Sequence, residues 1–211
     1  MMAKNASRQK VVHDGLKALA AEHDEIAFAI NRVGIPKTRH SAPGFPTLLA
    51  TIIGQQLSVK AAAAIRGRVW ALMDGSPCCS SFLSLDWNDL RSAGLSARKI
   101  EYAMDLAQAV HTGALPLMEL KTLDDETATE MLTKIRGFGP WSAKIYLMFS
   151  EGRQDIYPPG DLALEKGLQI LLSLPEKPTV KQGIELTKKY TPHRSAVCLI
   201  LWALYGSATL N

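Results

Sequence analysis

Two glycines separated by a single residue stand between two stretches with helical periodicity. Gly137 and Gly139 follow the apolar residues Leu132 and Ile135, and Pro140 is placed to open the next helix. Glycine permits a tight chain reversal and leaves backbone amides uncovered, so N–H groups at the start of the second helix can bind a phosphate oxygen. The spacing also suits a hairpin that only packs against its neighbours, and the motif alone does not choose between the two.

A carboxylate follows at another predicted helix start. Asp161 comes directly after Pro159 and Gly160. A side chain in this position can accept hydrogen bonds from the first N–H groups of the helix and still face a pocket. The hairpin and Asp161 are therefore the two features whose residue types suit phosphate binding and a reaction assisted by an anion.

The elements that must position these residues are predicted to be helices throughout. Apolar residues recur at helical spacing, and helix caps rather than β-turn signals separate the runs. Predicted helix starts are Asp24, Ser58, Asp86, Ser96, Asp125, Pro140, Asp161, Thr179 and Pro192. Because no alternating strand pattern or repeat occurs, we predict an all-α fold of about ten helices.

The composition indicates a soluble protein with a substantial core. The chain has 211 residues, of which 47% are hydrophobic and 21% charged, and this suits one large domain or two small ones. A net charge of +4 suits binding to a polyanion without requiring it. Apolar runs such as Ala196 to Leu204 are too short to cross a bilayer and no signal-peptide pattern occurs, so we expect a cytoplasmic, nucleoid-associated or nuclear location.

Four ordered motifs together identify a family resemblance. They are the hairpin, Pro159-Gly-Asp, the upstream segment Ile53-Gly-Gln-Gln-Leu-Ser-Val-Lys-Ala-Ala, and Gly94-Leu-Ser-Ala-Arg-Lys. Between Phe45 and Gly206 the chain resembles the helix-hairpin-helix (HhH-GPD) DNA glycosylases, and within them the alkylpurine branch, 3-methyladenine DNA glycosylase II.

The resemblance implies a two-lobed all-α fold with the active site in the cleft between the lobes. It also leads us to expect a monomer without the amino-terminal β-domain of the alkylpurine branch. Residues 1–42 are expected to form helices that complete the second lobe, and residues 43–125 a lobe with the base-flipping loop. Residues 126–211 then contain the hairpin, Asp161 and the carboxy-terminal helices.

The implied activity is excision of alkylated purines, of the 3-methyladenine and 7-methylguanine type, from flipped nucleotides of double-stranded DNA. Asp161 matches the catalytic aspartate of the family. Breaking a glycosidic bond builds oxocarbenium character on the sugar, which a fixed anion stabilises. Trp141 stands where members that also cleave the DNA backbone carry a Schiff-base lysine. We therefore expect no lyase activity, and Lys144 matches no catalytic position.

The resemblance also assigns a base pocket. Trp141 and Trp202 match aromatic pocket positions, where an electron-rich ring suits a flipped cationic base, although buried tryptophans also serve as core residues. Ile145 occupies a further position that is aromatic in the family. Tyr157 is either a substitute pocket wall or an anchor for its loop.

Contacts to DNA are expected from the hairpin and from a loop between two early helices. Gln56 matches the side chain that fills the gap left by the flipped base, and Leu57 is the apolar alternative beside it. The other interpretation is that the glutamines bridge the turn. The expected DNA-binding residues are Gly137, Phe138, Gly139, Ser142, Gln55, Gln56 and Leu57.

No cofactor is expected to be required. The resemblance implies a possible Na⁺ or K⁺ ion on backbone carbonyls of Ile135, Gly137 and Pro140. An iron–sulfur cluster is excluded, because it needs four closely spaced carboxy-terminal cysteines and only Cys198 lies there.

Two alternatives remain open at this point. One is a glycosylase for other damaged bases, with or without lyase activity. The other is a non-catalytic module that uses the hairpin only to bind DNA phosphates, against which the carboxylate of Asp161 argues.

Overall fold

The computed structural model describes residues 2–209, and the regular structure in this range is entirely helical. The helices are α1 (Met2–Glu22), α2 (Asp24–Val33), α3 (Phe45–Gly54), α4 (Val59–Ala71), α5 (Cys79–Leu83), α6 (Trp87–Ser92), α7 (Ala97–His111), α8 (Asp125–Thr133), α9 (Pro140–Tyr146), α10 (Leu162–Leu171), α11 (Val180–Thr187) and α12 (Arg194–Thr209). Short 3₁₀ turns lie at Glu119–Thr122 and Lys188–Tyr190, and a π-helical stretch, the π segment, at Leu147–Glu151. The all-α prediction is confirmed, since residues 2–209 contain no strand.

Several helix starts follow the predicted capping chemistry. The side chains of Ser58, Asp86, Ser96, Asp161 and Thr179 accept hydrogen bonds from backbone N–H groups in the first turns of their helices. Helices α2 and α8 begin at the predicted residues Asp24 and Asp125, but the capping residue precedes each of them by one position. Asp124 rather than Asp125 caps α8, because its carboxylate reaches the N–H groups of Glu126 and Thr127. The cap of α2 is His23, which makes no side-chain capping bond.

The helices form two compact units. The first comprises Met1–His40 and Leu147–Asn211, and the second Ser41–Tyr146. The predicted division between residues 125 and 126 therefore differs from the structure. The hairpin stays with the second unit because α8 packs against α9 and the backbone N–H of Gly44 donates to the hydroxyl of Tyr146 at 2.8 Å.

The first unit is built from both ends of the chain. Helices α1 and α2 pack against α12, which also packs along α10. Leu16, Ile26 and Leu164 are fully buried there. Gly167 brings α10 and α12 close together, since a Cβ at this position would lie 2.3 Å from the carbonyl oxygen of Leu201. This packing fixes the helix that begins after Asp161.

The second unit has its own core around α3. This helix packs against α4 and α7, and α5 and α6 complete the contacts with α7. Leu49, Ile53 and Ile100 have no exposed surface. Among residues 2–209, no helix is both long and apolar enough to cross a bilayer.

Candidate active site

Asp161 is held at the amino terminus of α10. Its Oδ1 atom accepts hydrogen bonds from the backbone N–H groups of Ala163 and Leu164, both at 3.0 Å. The indole nitrogen of Trp202 on α12 donates to the same oxygen at 3.3 Å. The helix dipole and these donors stabilise a negative charge, so the geometry provides an oriented carboxylate on a partly exposed residue.

The loop before Asp161 is anchored at its start and turns at its end. Arg194 donates from two nitrogens to the two carboxylate oxygens of Asp155, each at 2.8 Å. Burial acts to raise the pKa of Asp155, but the hydrogen bonds from Arg194 hold it below its ordinary value. At the other end, Gly160 has φ +74°, a conformation that favours glycine. The Pro-Gly-Asp motif therefore ends a loop that an ion pair anchors at Asp155.

Trp202 is half of an aromatic pair. Its ring stacks on Phe149 of the π segment, with centroids 5.9 Å apart and planes inclined by 24°. Such a pair offers an extended electron-rich surface next to the carboxylate. The structure thus places Trp202, one of the pocket residues predicted from sequence, against Asp161.

Tyr157 lies inside the first unit. Only 4% of its surface is exposed, and burial raises the pKa of its hydroxyl above the ordinary value. A Cβ at Gly183 on α11 would lie 2.6 Å from that hydroxyl oxygen. This placement supports the loop-anchor interpretation of Tyr157.

A second carboxylate lies one helical turn beyond Asp161. Glu165 is 5% exposed and forms an ion pair with Lys177. The ammonium group balances the charge of Glu165, so its carboxylate is engaged in holding the chain after α10.

The hairpin glycines have different roles. Gly137 has φ +86°, and a Cβ there would lie 2.3 Å from the ring of Tyr102. Gly139 is exposed, with no atom within 4 Å of an added Cβ, and its φ is outside the left-handed region. Gly137 thus makes the turn, whereas Gly139 leaves the backbone open before the first turn of α9, whose N–H groups lack partners within the helix.

The other predicted residues of the hairpin are mixed in exposure. Phe138 is 4% exposed and packs inside the second unit, so its side chain is structural. Trp141 is 44% exposed, and Ser142 and Ile145 are intermediate.

The predicted base-flipping loop lies between α3 and α4. The side-chain amide of Gln55 donates to the carbonyl of Gly137 at 2.7 Å, so this glutamine bridges to the hairpin. Lys99 donates to the carbonyls of Ile53 and Gln55, at 2.7 and 2.8 Å. Gln56 is exposed with φ +56°, and Leu57 is 38% exposed. These hydrogen bonds hold the backbone of the loop, and the side chains of Gln56 and Leu57 are exposed to solvent.

Two of the three carbonyls predicted to bind a monovalent cation already accept hydrogen bonds. The N–H of Phe138 donates to Ile135 at 3.0 Å, and Gln55 donates to Gly137. A cation at this turn would share both acceptors, so the residues fit it only in part.

A model of the HhH-GPD superfamily of base excision DNA repair proteins matches residues 49–193, which include the hairpin and Asp161. The chain belongs to this superfamily. It is 34% identical to the Bacillus subtilis protein YfjP over 162 residues, 74% of this chain, and spans only 56% of that protein.

Two solved structures are similar to this chain over most of its length. The DNA-3-methyladenine glycosidase of Bacillus halodurans shares 33% identity with a TM-score of 0.87, covering 93% of this chain and 91% of that one. The 3-methyladenine DNA glycosylase of Schizosaccharomyces pombe, solved in complex with abasic DNA, shares 29% identity with a TM-score of 0.79. The coverage is 90% of this chain and 95% of the fission yeast protein.

Sequence reasoning missed Phe149. It lies four residues after Ile145, and this helical spacing was the available signal. The stacking on Trp202 depends on residues distant in sequence, which spacing alone does not reveal.

Proposed function

We propose that this protein is a monofunctional DNA glycosylase that releases alkylated purines from double-stranded DNA. One observation carries the proposal: a carboxylate fixed by a helix amino terminus and by the indole of an aromatic pair. The similar proteins of Bacillus halodurans and Schizosaccharomyces pombe, named for 3-methyladenine, support the same substrate class.

The proposed reaction suits one carboxylate. Alkylation at ring nitrogen gives the purine a positive charge, and the glycosidic electron pair leaves with the base and neutralises it. The sugar becomes an oxocarbenium ion, which Asp161 stabilises. A water molecule adds to the anomeric carbon and loses a proton, which leaves an abasic site and the free base.

The aromatic pair suits the substrate charge. A cationic base is attracted to the faces of tryptophan and phenylalanine, in addition to stacking. The exposed backbone at Gly139 and the first turn of α9 suit a phosphate, and Gln56 and Leu57 remain the candidates to fill the gap in the base stack.

The test is release of free 3-methyladenine and 7-methylguanine from methylated duplex DNA, separated without heat or alkali. We expect Asp161→Asn to lower the release rate by about a hundredfold or more while binding to an abasic duplex persists. Asparagine caps helices about as well as aspartate, so the variant keeps its fold. Asp86→Asn makes the same change at the cap of α6 and is expected to act like the wild type.

Each outcome is decisive. Absence of release by the wild type, with salt-dependent DNA binding retained, would favour the non-catalytic module. Full activity of Asp161→Asn would remove the role assigned to Asp161. Borohydride trapping on abasic DNA tests the monofunctional reaction, because the residue at position 141 is tryptophan rather than lysine. A trapped covalent adduct would contradict it.

A further inference from the structure

Arg8 on α1 donates hydrogen bonds to the backbone of the π segment. The guanidinium donates from one terminal nitrogen to the carbonyl of Phe149 at 2.9 Å and from the other to the carbonyl of Ser150 at 2.8 Å. Nδ1 of His40 lies 2.6 Å from the first of these nitrogens. One side chain near the amino terminus thus binds two consecutive carbonyls of a segment far along the chain.

The π segment needs such a partner. The last carbonyls of a helix have no N–H partner within it, and Ser150 is only 1% exposed, so its carbonyl depends on a protein donor. Gly152 has φ +80°, and a Cβ there would lie 2.8 Å from the guanidinium carbon of Arg8. The glycine therefore both ends the segment and lets the guanidinium approach its backbone.

Phe149 borders a pocket near Arg8. This pocket of about 80 Å³, partly open to solvent, is lined by Arg8, Phe149, Met148, Gly152, Arg153 and His193, among others. Empty space beside an aromatic side chain leaves it room to shift, since contacts are missing there. The two hydrogen bonds from Arg8, together with Nδ1 of His40 at 3.3 Å from the same Phe149 carbonyl, thus hold the backbone position from which the Phe149 ring stacks on Trp202.

We infer that Arg8 is a positioning residue for the aromatic pair and, through the Trp202 indole, for the carboxylate of Asp161. The connection runs from the guanidinium to the Phe149 carbonyl, from the Phe149 ring to Trp202, and from the Trp202 indole nitrogen to Oδ1 of Asp161. The positioning of the aromatic pair by Arg8 does not depend on the proposed function, whereas the expected effect of Arg8 on the rate of base release rests on it.

The first readout does not depend on activity. The indole N–H resonances of the four tryptophans are recorded by ¹⁵N-correlated NMR, and Trp202 is assigned from its absence in Trp202→Phe. Arg8→Met removes both donors and keeps an unbranched apolar stem. We expect it to shift or broaden the Trp202 signal and to leave those of Trp70 and Trp87, in the second unit, unmoved. Arg8→Lys, which can reach one carbonyl, should give a smaller change.

Gln9 provides the matched control on the same helix. Its amide donates to the carbonyl of Pro36 at 3.2 Å and accepts from the N–H of Thr38 at 2.8 Å, so Gln9→Ala loosens α1 without touching the π segment. The Trp202 signal should stay in place in this variant. An unmoved signal in Arg8→Met, or equal changes in both variants, would overturn the inference.

The second readout is single-turnover base release at a temperature where all variants are folded. A displaced catalytic geometry lowers the chemical rate by about tenfold to a hundredfold, and we expect this in Arg8→Met with unchanged affinity for an abasic duplex. Wild-type release by a folded Arg8→Met would also overturn the inference. If the wild type releases no base, the proposed function fails, while the NMR comparison still decides the role of Arg8.

Discussion

Three donors converge on one oxygen of Asp161, and they differ in kind. Two are backbone N–H groups that belong to the α10 cap, while the third is the indole nitrogen of Trp202. The cap holds the carboxylate at the helix whatever the neighbouring side chains are. The indole donor ties the same oxygen to the aromatic pair, and a single substitution can remove it.

Trp202→Phe removes this donor and keeps an aromatic ring to stack on Phe149. A hydrogen bond to a charged group contributes about 1.5–3 kcal/mol, and the 3.3 Å distance places this one at the lower end. We expect the single-turnover release of 7-methylguanine to slow by about tenfold. Trp87→Phe, at a 41% exposed tryptophan in α6, is the control. Equal rates for the two variants would show that the indole donor has no part in the reaction.

At the scale of elements, the two glycines of the hairpin differ in role. Gly137 makes the turn, and Gly139 leaves backbone open to the phosphate that we propose binds there. Gly137 requires both a left-handed backbone and the absence of a Cβ, because Tyr102 occupies the adjacent space. Gly139 requires neither for folding. The space beside Gly139 is therefore accessible to a ligand such as a DNA phosphate.

Alanine at the two positions tests this division. Gly137→Ala should lower the free energy of unfolding by about 2–4 kcal/mol, from backbone strain and overpacking against Tyr102. Gly139→Ala should leave stability within about 0.5 kcal/mol of the wild type, yet weaken DNA binding, since the methyl group obstructs a phosphate. Urea unfolding and fluorescence anisotropy measure the two effects. Unchanged DNA affinity in Gly139→Ala would contradict phosphate binding here.

At the scale of the molecule, the first unit has to join the two ends of the chain. Glu25 on α2 pairs with Lys189 and accepts a hydrogen bond from the hydroxyl of Tyr190 at 2.8 Å. Burial acts to raise the pKa of Glu25, but these hydrogen bonds lower it from 4.5 to about 2. The carboxylate is 24% exposed, so this tie between distant segments is partly shielded from solvent.

The lowered pKa makes a pH-dependent contribution to stability. The contribution is present above pH 4.5, the unfolded value, and is lost as the pH falls toward about 2. Glu25→Gln should therefore destabilise the protein by about 1 kcal/mol at neutral pH, after allowance for solvent screening. In urea unfolding, the difference from the wild type should shrink below pH 4.5 and vanish near pH 2.

A surface pair supplies the comparison. Glu185 and Lys188 are 69% and 61% exposed, so Glu185→Gln should leave stability unchanged. A pH-independent loss in Glu25→Gln, or an equal loss in both variants, would contradict the assigned role of Glu25.

The sequence by itself determined the features that depend on residues close together in the chain. Helical periodicity and the capping residues Ser58, Ser96 and Thr179 specify all-α structure, because a helix start is a local hydrogen-bonding event. The four ordered motifs are also short stretches of sequence, and the resemblance that they carry to the superfamily is confirmed by the match over residues 49–193. The sequence predicted that Asp161 begins a helix and caps it with its carboxylate, and this prediction is confirmed.

The tertiary structure decided which distant residues meet. The hairpin joins the second unit because Gly44, Gln55 and Tyr102 contact the segment from Gly137 to Tyr146, and no local pattern encodes those contacts. Tyr157 is buried, and its hydroxyl lies against Gly183 of α11. The pairing of Phe149 with Trp202, and the binding of the π segment by Arg8, link residues far apart in sequence. Such contacts depend on how helices pack, which the periodicity of each helix does not specify.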